Sequence, residues 1–196
     1  MESREKNKSY LSIISAARDL LWKFGIKKVT VEEICQEAGV SKMTFYRLFV
    51  NKADVAEKVL SGELEAGLST YKDIMRLDAP YGEKVRQLIK LKHDSTRGIG
   101  SEFLKDIYQN GDGNLRRVFE EYSTQSTRLF REDLIEAQKS GWIRADLNID
   151  FLMYVLNDMS NKLVDEHLSG IYPNTQDLIM ELTNLIFYGI LSDTSK

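Results

Sequence analysis

Only two prolines, Pro80 and Pro173, interrupt the 196 residues of this chain. Proline breaks a helix interior because it lacks a backbone donor and clashes with the preceding turn, so its scarcity leaves room for long helices. Strand-like alternation is scarce as well. Apolar residues instead recur at helical spacing, as in Ile13, Ile14, Ala17, Leu20, Leu21 and Phe24, after which Gly25 suits a left-handed helix end. The expected fold class is all-α. A second helix opens on a Thr30/Glu33 capping box, turns Val31, Ile34, Cys35 and Ala38 inward and stops at Gly39. A third, roughly 42–48, is capped by Ser41, and Asn51 with Asp54 starts a fourth that reaches about residue 75. Five more are expected at roughly 81–95, 102–109, 114–139, 149–168 and 175–191, with "RGIGS" and "NGDGN" as connectors, giving about nine helices.

Composition excludes several function classes. Hydrophobic residues at 42% and charged residues at 29% suit a folded soluble chain rather than a disordered one. No apolar run approaches the ~20 residues of a membrane helix, so no membrane partner is expected. The start, "MESREKNKSYLS", has no apolar segment or cleavage site of a secretory signal. Cys35 has no intrachain disulfide partner, which fits a cytoplasmic location, and it reads as a small buried hydrophobe.

The net charge of −3 is unevenly spread. Residues 1–52 hold ten Lys/Arg against six Asp/Glu, a net +4, and the rest holds 17 against 24, a net −7. Salt screens the distant acidic charges over about 8–10 Å, so the first part can still attract a polyanion.

That first part contains "TVEEICQEAGVSKMTFYRLFVNK", two short helices joined by a glycine turn, the pattern of a helix-turn-helix over about 30–49. In such a module the second helix enters the major groove, and Lys42, Met43, Thr44, Tyr46 and Arg47 supply the outward polar or small side chains it needs. Phe45 and Phe49 anchor the helix from behind. Arg47 suits guanine O6/N7, and Met43 or the Thr44 methyl suits a thymine methyl. Thr30, Ser41, Tyr46 and Lys52 lie near helix starts or on the flank, where phosphates are held. The same residues also suit a plain solvated face, with Tyr46 packed at a rim.

Catalytic chemistry finds no foothold. His93 and His167 are the only histidines, neither follows a Glu at the spacing of a di-iron bundle, and no H-E-x-x-H or G-x-S-x-G occurs. Asp165, Glu166 and His167 are adjacent, but consecutive helical residues point in different directions, so no metal site and no cofactor is expected. A small-molecule cavity is more plausible. Phe103, Ile107, Phe119 and Tyr122 offer aromatic and apolar wall, and Tyr154 and Asn157 offer polar fixings, although such stripes also serve as ordinary core.

The helix at 175–191 is apolar nearly all round, including Leu178, Leu182, Leu185, Ile186 and Tyr188. It needs cover on a second side, most simply from another copy of the chain, or else central burial in the monomer.

"TVEEICQEAGVSKMTFYRLFVNKADV" resembles the DNA-binding signature of the tetracycline-repressor (TetR/AcrR) family of bacterial regulators. Thr30, Ala38-Gly39-Val40-Ser41, Thr44-Phe45-Tyr46, Phe49 and Asn51-Lys52 carry the likeness, and "AARDLLWKFGIKKVT" looks like the helix leading in. The resemblance implies a DNA-binding domain over 7–67 and a ligand-binding and dimerisation domain over 68–196. It further implies a homodimer on a palindromic double-stranded DNA operator, most simply a repressor released by a small-molecule effector. An activator, or a regulator tuned by a protein partner, is the alternative within this class. An all-helical enzyme is the alternative outside it. The last two helices of such proteins usually pair across the dimer, which points to Leu152, Leu156, Met159, Leu178, Leu182, Leu185 and Ile186. By position, Thr30, Ser41, Tyr46 and Lys52 match phosphate-holding residues, and Lys42, Met43, Thr44 and Arg47 match groove-facing ones. Met43 stands where relatives often have glycine, and Arg47-Leu48 replaces a frequent polar or histidine pair. The operator therefore cannot be borrowed from relatives.

Overall fold

The computed structural model describes residues 2–109 and 113–190, and the side chains of 7–109, 113–159 and 161–190. Residues 110–112 of the second glycine connector, and Leu191 at the expected end of the last helix, lie outside that set. Ten helices and no strand are found among the described residues. They are α1 (Glu2–Phe24), α2 (Val31–Ala38), α3 (Lys42–Leu48), α4 (Lys52–Arg76), α5 (Tyr81–Ser95), α6 (Ser101–Tyr108), α7 (Gly113–Lys139), α8 (Ile149–Lys162), α9 (Glu166–Ile171) and α10 (Thr175–Ile190).

The expected eighth helix is two. α8 ends at Lys162, and Asp165 then caps α9 by accepting a hydrogen bond from the Leu168 N–H at 3.0 Å. That bond holds the Asp165 carboxyl below the usual range, because it favours the charged form. The Asp165-Glu166-His167 run is thus a helix start. No group of residues suited to a metal ion occurs among the described residues, and no helix among them is long and apolar enough to cross a membrane.

The chain forms two compact units, Met1–Glu63 with Gly98–Phe119 and Leu64–Arg97 with Glu120–Lys196. In the first, α1 packs on α2, α3 and α6, and α2 packs on α3. Ile13, Ala17 and Leu21 of α1, Ile34 of α2, Phe45 of α3 and Val55 of α4 are buried. Helix α6, expected within the second domain at 68–196, packs here. Its Gly100 donates its N–H to the Trp22 carbonyl at 2.8 Å, and the rings of Trp22 and Phe103 pack at a tilt with centroids 4.2 Å apart.

In the second unit, Tyr81, Val85, Leu134, Ala137, Ile143, Leu147, Leu152 and Ile190 form the core. Two tyrosine–carboxylate hydrogen bonds tie α4 to α7 in this unit. Tyr71 donates to Asp133 Oδ2 at 2.5 Å, and Tyr122 donates to Glu65 Oε1 at 2.6 Å. Burial, then the Asp133 contact, pushes the Tyr71 hydroxyl far above its ordinary pKa. Burial likewise raises Tyr81 to about 12. Both hydroxyls remain neutral at any physiological pH.

A methyl group at Gly100 would lie 2.5 Å from the Lys23 carbonyl oxygen, a backbone atom that cannot swing aside. Overpacking of this kind costs about 1–3 kcal/mol. Gly100→Ala should therefore lower the denaturant midpoint of the first unit, read by Trp22 fluorescence in a Trp142→Phe background. An unchanged midpoint would show that α1 and α6 can part there freely.

Candidate DNA-reading face

The face is built by local rules. Thr30 Oγ1 accepts from the Glu33 N–H at 3.2 Å, and Glu33 Oε2 accepts from the Thr30 N–H at 2.8 Å, completing the capping box. The hydrogen bonds from Thr30 hold the Glu33 carboxyl below its usual range. Helix α2 ends at Gly39 with φ 65° and ψ 35°. The Gly39 N–H reaches the Gln36 carbonyl at 3.2 Å and the Val40 N–H reaches the Cys35 carbonyl at 3.0 Å. These paired bonds are a Schellman turn, whose left-handed residue favours glycine. Two residues later Ser41 Oγ accepts from the Thr44 N–H at 3.1 Å and starts α3.

Phe45 is 0% exposed and Phe49 is 2% exposed, and Phe49 stacks on Tyr10 with centroids 5.1 Å apart. With those two rings inward, Met43 stands 82% exposed and Tyr46 57% exposed, and Lys42 and Arg47 are exposed as well. Thr44 is half-buried. Cys35 is buried, and that burial pushes its thiol up, away from reactivity.

The structure brings all eight residues of the expected site into the first unit, but gives several of them other work. The Thr30 hydroxyl is committed to Glu33, to which it also donates at 2.8 Å. Ser41 Oγ lies 3.1 Å from Thr44 Oγ1. Lys52 is half-buried, and its ammonium donates to the carbonyls of Val29 at 2.5 Å and Lys27 at 3.3 Å, holding the α1–α2 loop against α4. Lys42 is ion-paired with Glu32 of α2. Glu32 escaped the sequence reading because no periodicity links residues ten apart on different helices.

The residues expected to line a ligand cavity fall in both units. Phe103 and Ile107 lie on the buried face of α6, and Phe119 meets Tyr108 edge-on with centroids 5.1 Å apart. Tyr122 borders a cleft of about 270 Å³ in the second unit with Glu65, Leu68, Ser69, Lys72 and Gln125. Tyr154 is 75% exposed and Asn157 is exposed, so α8 turns both to its outer face.

The residues expected at a dimer interface are likewise spread between core and surface. Leu152 and Leu178 are buried within the chain itself. Leu156, Met159, Leu182 and Ile186 are half-buried, and Leu185 is 69% exposed. The other exposed apolar side chains on these helices are Phe151, Tyr154 and Tyr188. The helical phase of α8 explains the shift, since turning Leu152 and Leu156 into the core leaves Phe151 and Tyr154 outside.

A family profile described as "Bacterial regulatory proteins, tetR family" matches residues 13–59. YdeS of Bacillus subtilis (strain 168), described as an uncharacterized HTH-type transcriptional regulator, is 33% identical over 151 residues, 72% of this chain and 71% of that one. The chain belongs to the tetR family of bacterial regulatory proteins. It is accordingly a DNA-binding transcriptional regulator. The HTH-type transcriptional repressor KstR2 of Mycobacterium tuberculosis (strain CDC 1551 / Oshkosh) is 22% identical over 139 residues, 68% of each chain. A transcriptional regulator from Saccharomonospora viridis, solved in complex with choline, shares the fold with a TM-score of 0.73 at 18% identity, covering 95% of this chain and 99% of that one. Ten helices among the described residues of a tetR-family regulator, with a helix-turn-helix near the start, agree with the all-α expectation.

Glu32 places a carboxylate beside the lysine that opens α3. In the free protein it acts as the counter-ion that DNA would otherwise replace. Glu32→Gln should tighten binding to all DNA sequences and steepen the dependence of log K on log salt by about 1. A salt titration with random duplex DNA reads this directly, and an unchanged slope would mean that Glu32 does not offset the Lys42 charge against DNA.

Proposed function

We propose that this regulator is a repressor that acts in the cytoplasm as a homodimer on a palindromic operator and leaves DNA when a small molecule binds. The observation that carries the reading is the α3 face, where buried Phe45 and Phe49 hold Met43, Tyr46 and Arg47 out to solvent. Lys42, Met43, Thr44 and Arg47 would read bases, while Tyr46, Ser41, Thr30 and Lys52 sit where phosphates pass. The named role of KstR2 as a repressor supports the direction of regulation. The choline complex of the Saccharomonospora viridis protein supports a small-molecule effector. The cleft beside Tyr122 and Glu65 is the place where we expect such an effector to enter.

Dimerisation would use the apolar side chains that α8 and α10 leave uncovered, namely Phe151, Tyr154, Leu185 and Tyr188. Two copies of α3 must lie about 34 Å apart to enter successive major grooves. An effector that binds a differently spaced conformation more tightly releases DNA, to the extent of that difference in affinity. Helix α4 contributes residues to both units, which suits it to carry the change. The functional division we propose is 7–67 for DNA binding and 68–196 for effector and partner copy.

Selection of bound duplexes from a random pool should yield a palindrome, and a pool without symmetry would overturn the dimeric reading. On that palindrome, Arg47→Ala should weaken binding by roughly 10- to 100-fold and relax one base position in each half-site. Leu185→Glu should sediment as a monomer and lose the palindrome while keeping its helix content by circular dichroism.

A further inference from the structure

The loop from Gly25 to Thr30 sets where α2 begins, and through α2 the position of α3. Its backbone is gripped from two sides. The Lys27 N–H donates to Asp106 Oδ2 at 3.0 Å, and the carbonyls of Lys27 and Val29 accept from the Lys52 ammonium. Next along the chain, Lys28 Nζ pairs with Glu102 Oε2 at 2.9 Å. The approach of α6 is close enough that a Cβ at Gly25, which has φ +87°, would lie 3.0 Å from both Asp106 Oδ2 and Glu102 Cβ.

Asp106 is only 7% exposed and lies on α6, far along the chain from the 13–59 segment that carries the family match. A carboxylate buried against a backbone N–H makes a strong charge-assisted hydrogen bond. Leaving that donor unpaired would let the loop seek another partner or open to water. Its hydrogen bond goes to the Lys27 N–H of the loop, so its influence on DNA runs through that loop.

We propose that Asp106 is a positioning residue for operator binding, holding the α1–α2 loop so that α2 and α3 meet DNA at one angle. The proposal rests on the DNA-reading role of α3 given above. Asp106→Ala removes the acceptor, whereas Asp106→Asn keeps an oxygen acceptor of the same shape without the charge.

The test measures operator and random-duplex affinity over a salt series for both variants, with Arg47→Ala alongside. Positioning predicts that Asp106→Ala binds operator about 10-fold more weakly with an unchanged salt slope, keeps its affinity for random duplex, and that Asp106→Asn recovers to within about 2-fold. Simple loss of a negative charge predicts the opposite sign, tighter binding to every DNA for both variants. That result overturns the proposal, as does an Asp106→Ala protein equal to the parent on operator, or one equally weakened on both DNAs. An Asp106→Ala chain without native helix content in the cold also overturns it, in favour of a role in folding. If Arg47→Ala is unimpaired on operator, the reading of α3 has failed. Failure at Asp106 alone leaves Arg47→Ala impaired on operator, so the two failures are told apart.

Discussion

What α3 shows to DNA is decided from behind, by the burial of one ring. A helix of seven residues cannot hold itself together in water, because its few internal hydrogen bonds do not repay the cost of nucleation. Phe45, with no exposed surface, supplies the missing stabilisation, and Phe49, one turn on, extends it to Tyr10 of α1. Since both rings lie on one side, Met43, Tyr46 and Arg47 have only the other. Burying a phenylalanine stabilises by roughly 1.5–3 kcal/mol, enough to select one rotational phase for so short a helix. The caps at Ser41 and Gly39 then set where it begins.

Electrostatics shapes the same surface in two ways. The positive balance of the first 52 residues favours any DNA. Within it, the Glu32–Lys42 pair restrains that attraction at α3 itself. Both groups are well exposed, so the pair contributes little to stability, and its consequence lies in binding. Lys52 illustrates the opposite case. Two of the donors on its ammonium are turned to backbone carbonyls, so a lysine that the family likeness assigns to phosphate also fastens the α1–α2 loop.

Legibility followed the range of each interaction. The capping box at Thr30, the Gly39 turn and the Ser41 cap involve residues within five positions of one another, and all were readable in the sequence. The inward phase of Phe45 and Phe49 was readable from helical spacing. Helix α8 was harder because it carries apolar residues on two faces. Leu152 and Phe151 are equally hydrophobic neighbours, and only the packed core shows that the first is inside. The break before α9 was marked by Asp165, but its capping role competed with a reading as part of a charged triplet. The Asp106–Lys27 bond joins residues 79 apart, and no pattern in one sequence reports such a pair.

That last bond bears on what counts as the DNA-binding part of this regulator. A boundary drawn after residue 67 follows the motif, but packing does not follow the motif. Trp22 of α1 is 5% exposed because Phe103 lies against it, and Gly100 can approach the Lys23 carbonyl only because it has no side chain. A segment ending at 67 would lack Phe103 and uncover the indole, and it would lack Asp106 and free the Lys27 N–H. The loop that leads into α2 is therefore held by a helix that the chain reaches only after α5, at the far end of an excursion through the second unit. Any change that moves α6 acts on the α1–α2 loop directly, by hydrogen bond and by steric contact, without passing through the recognition helix first.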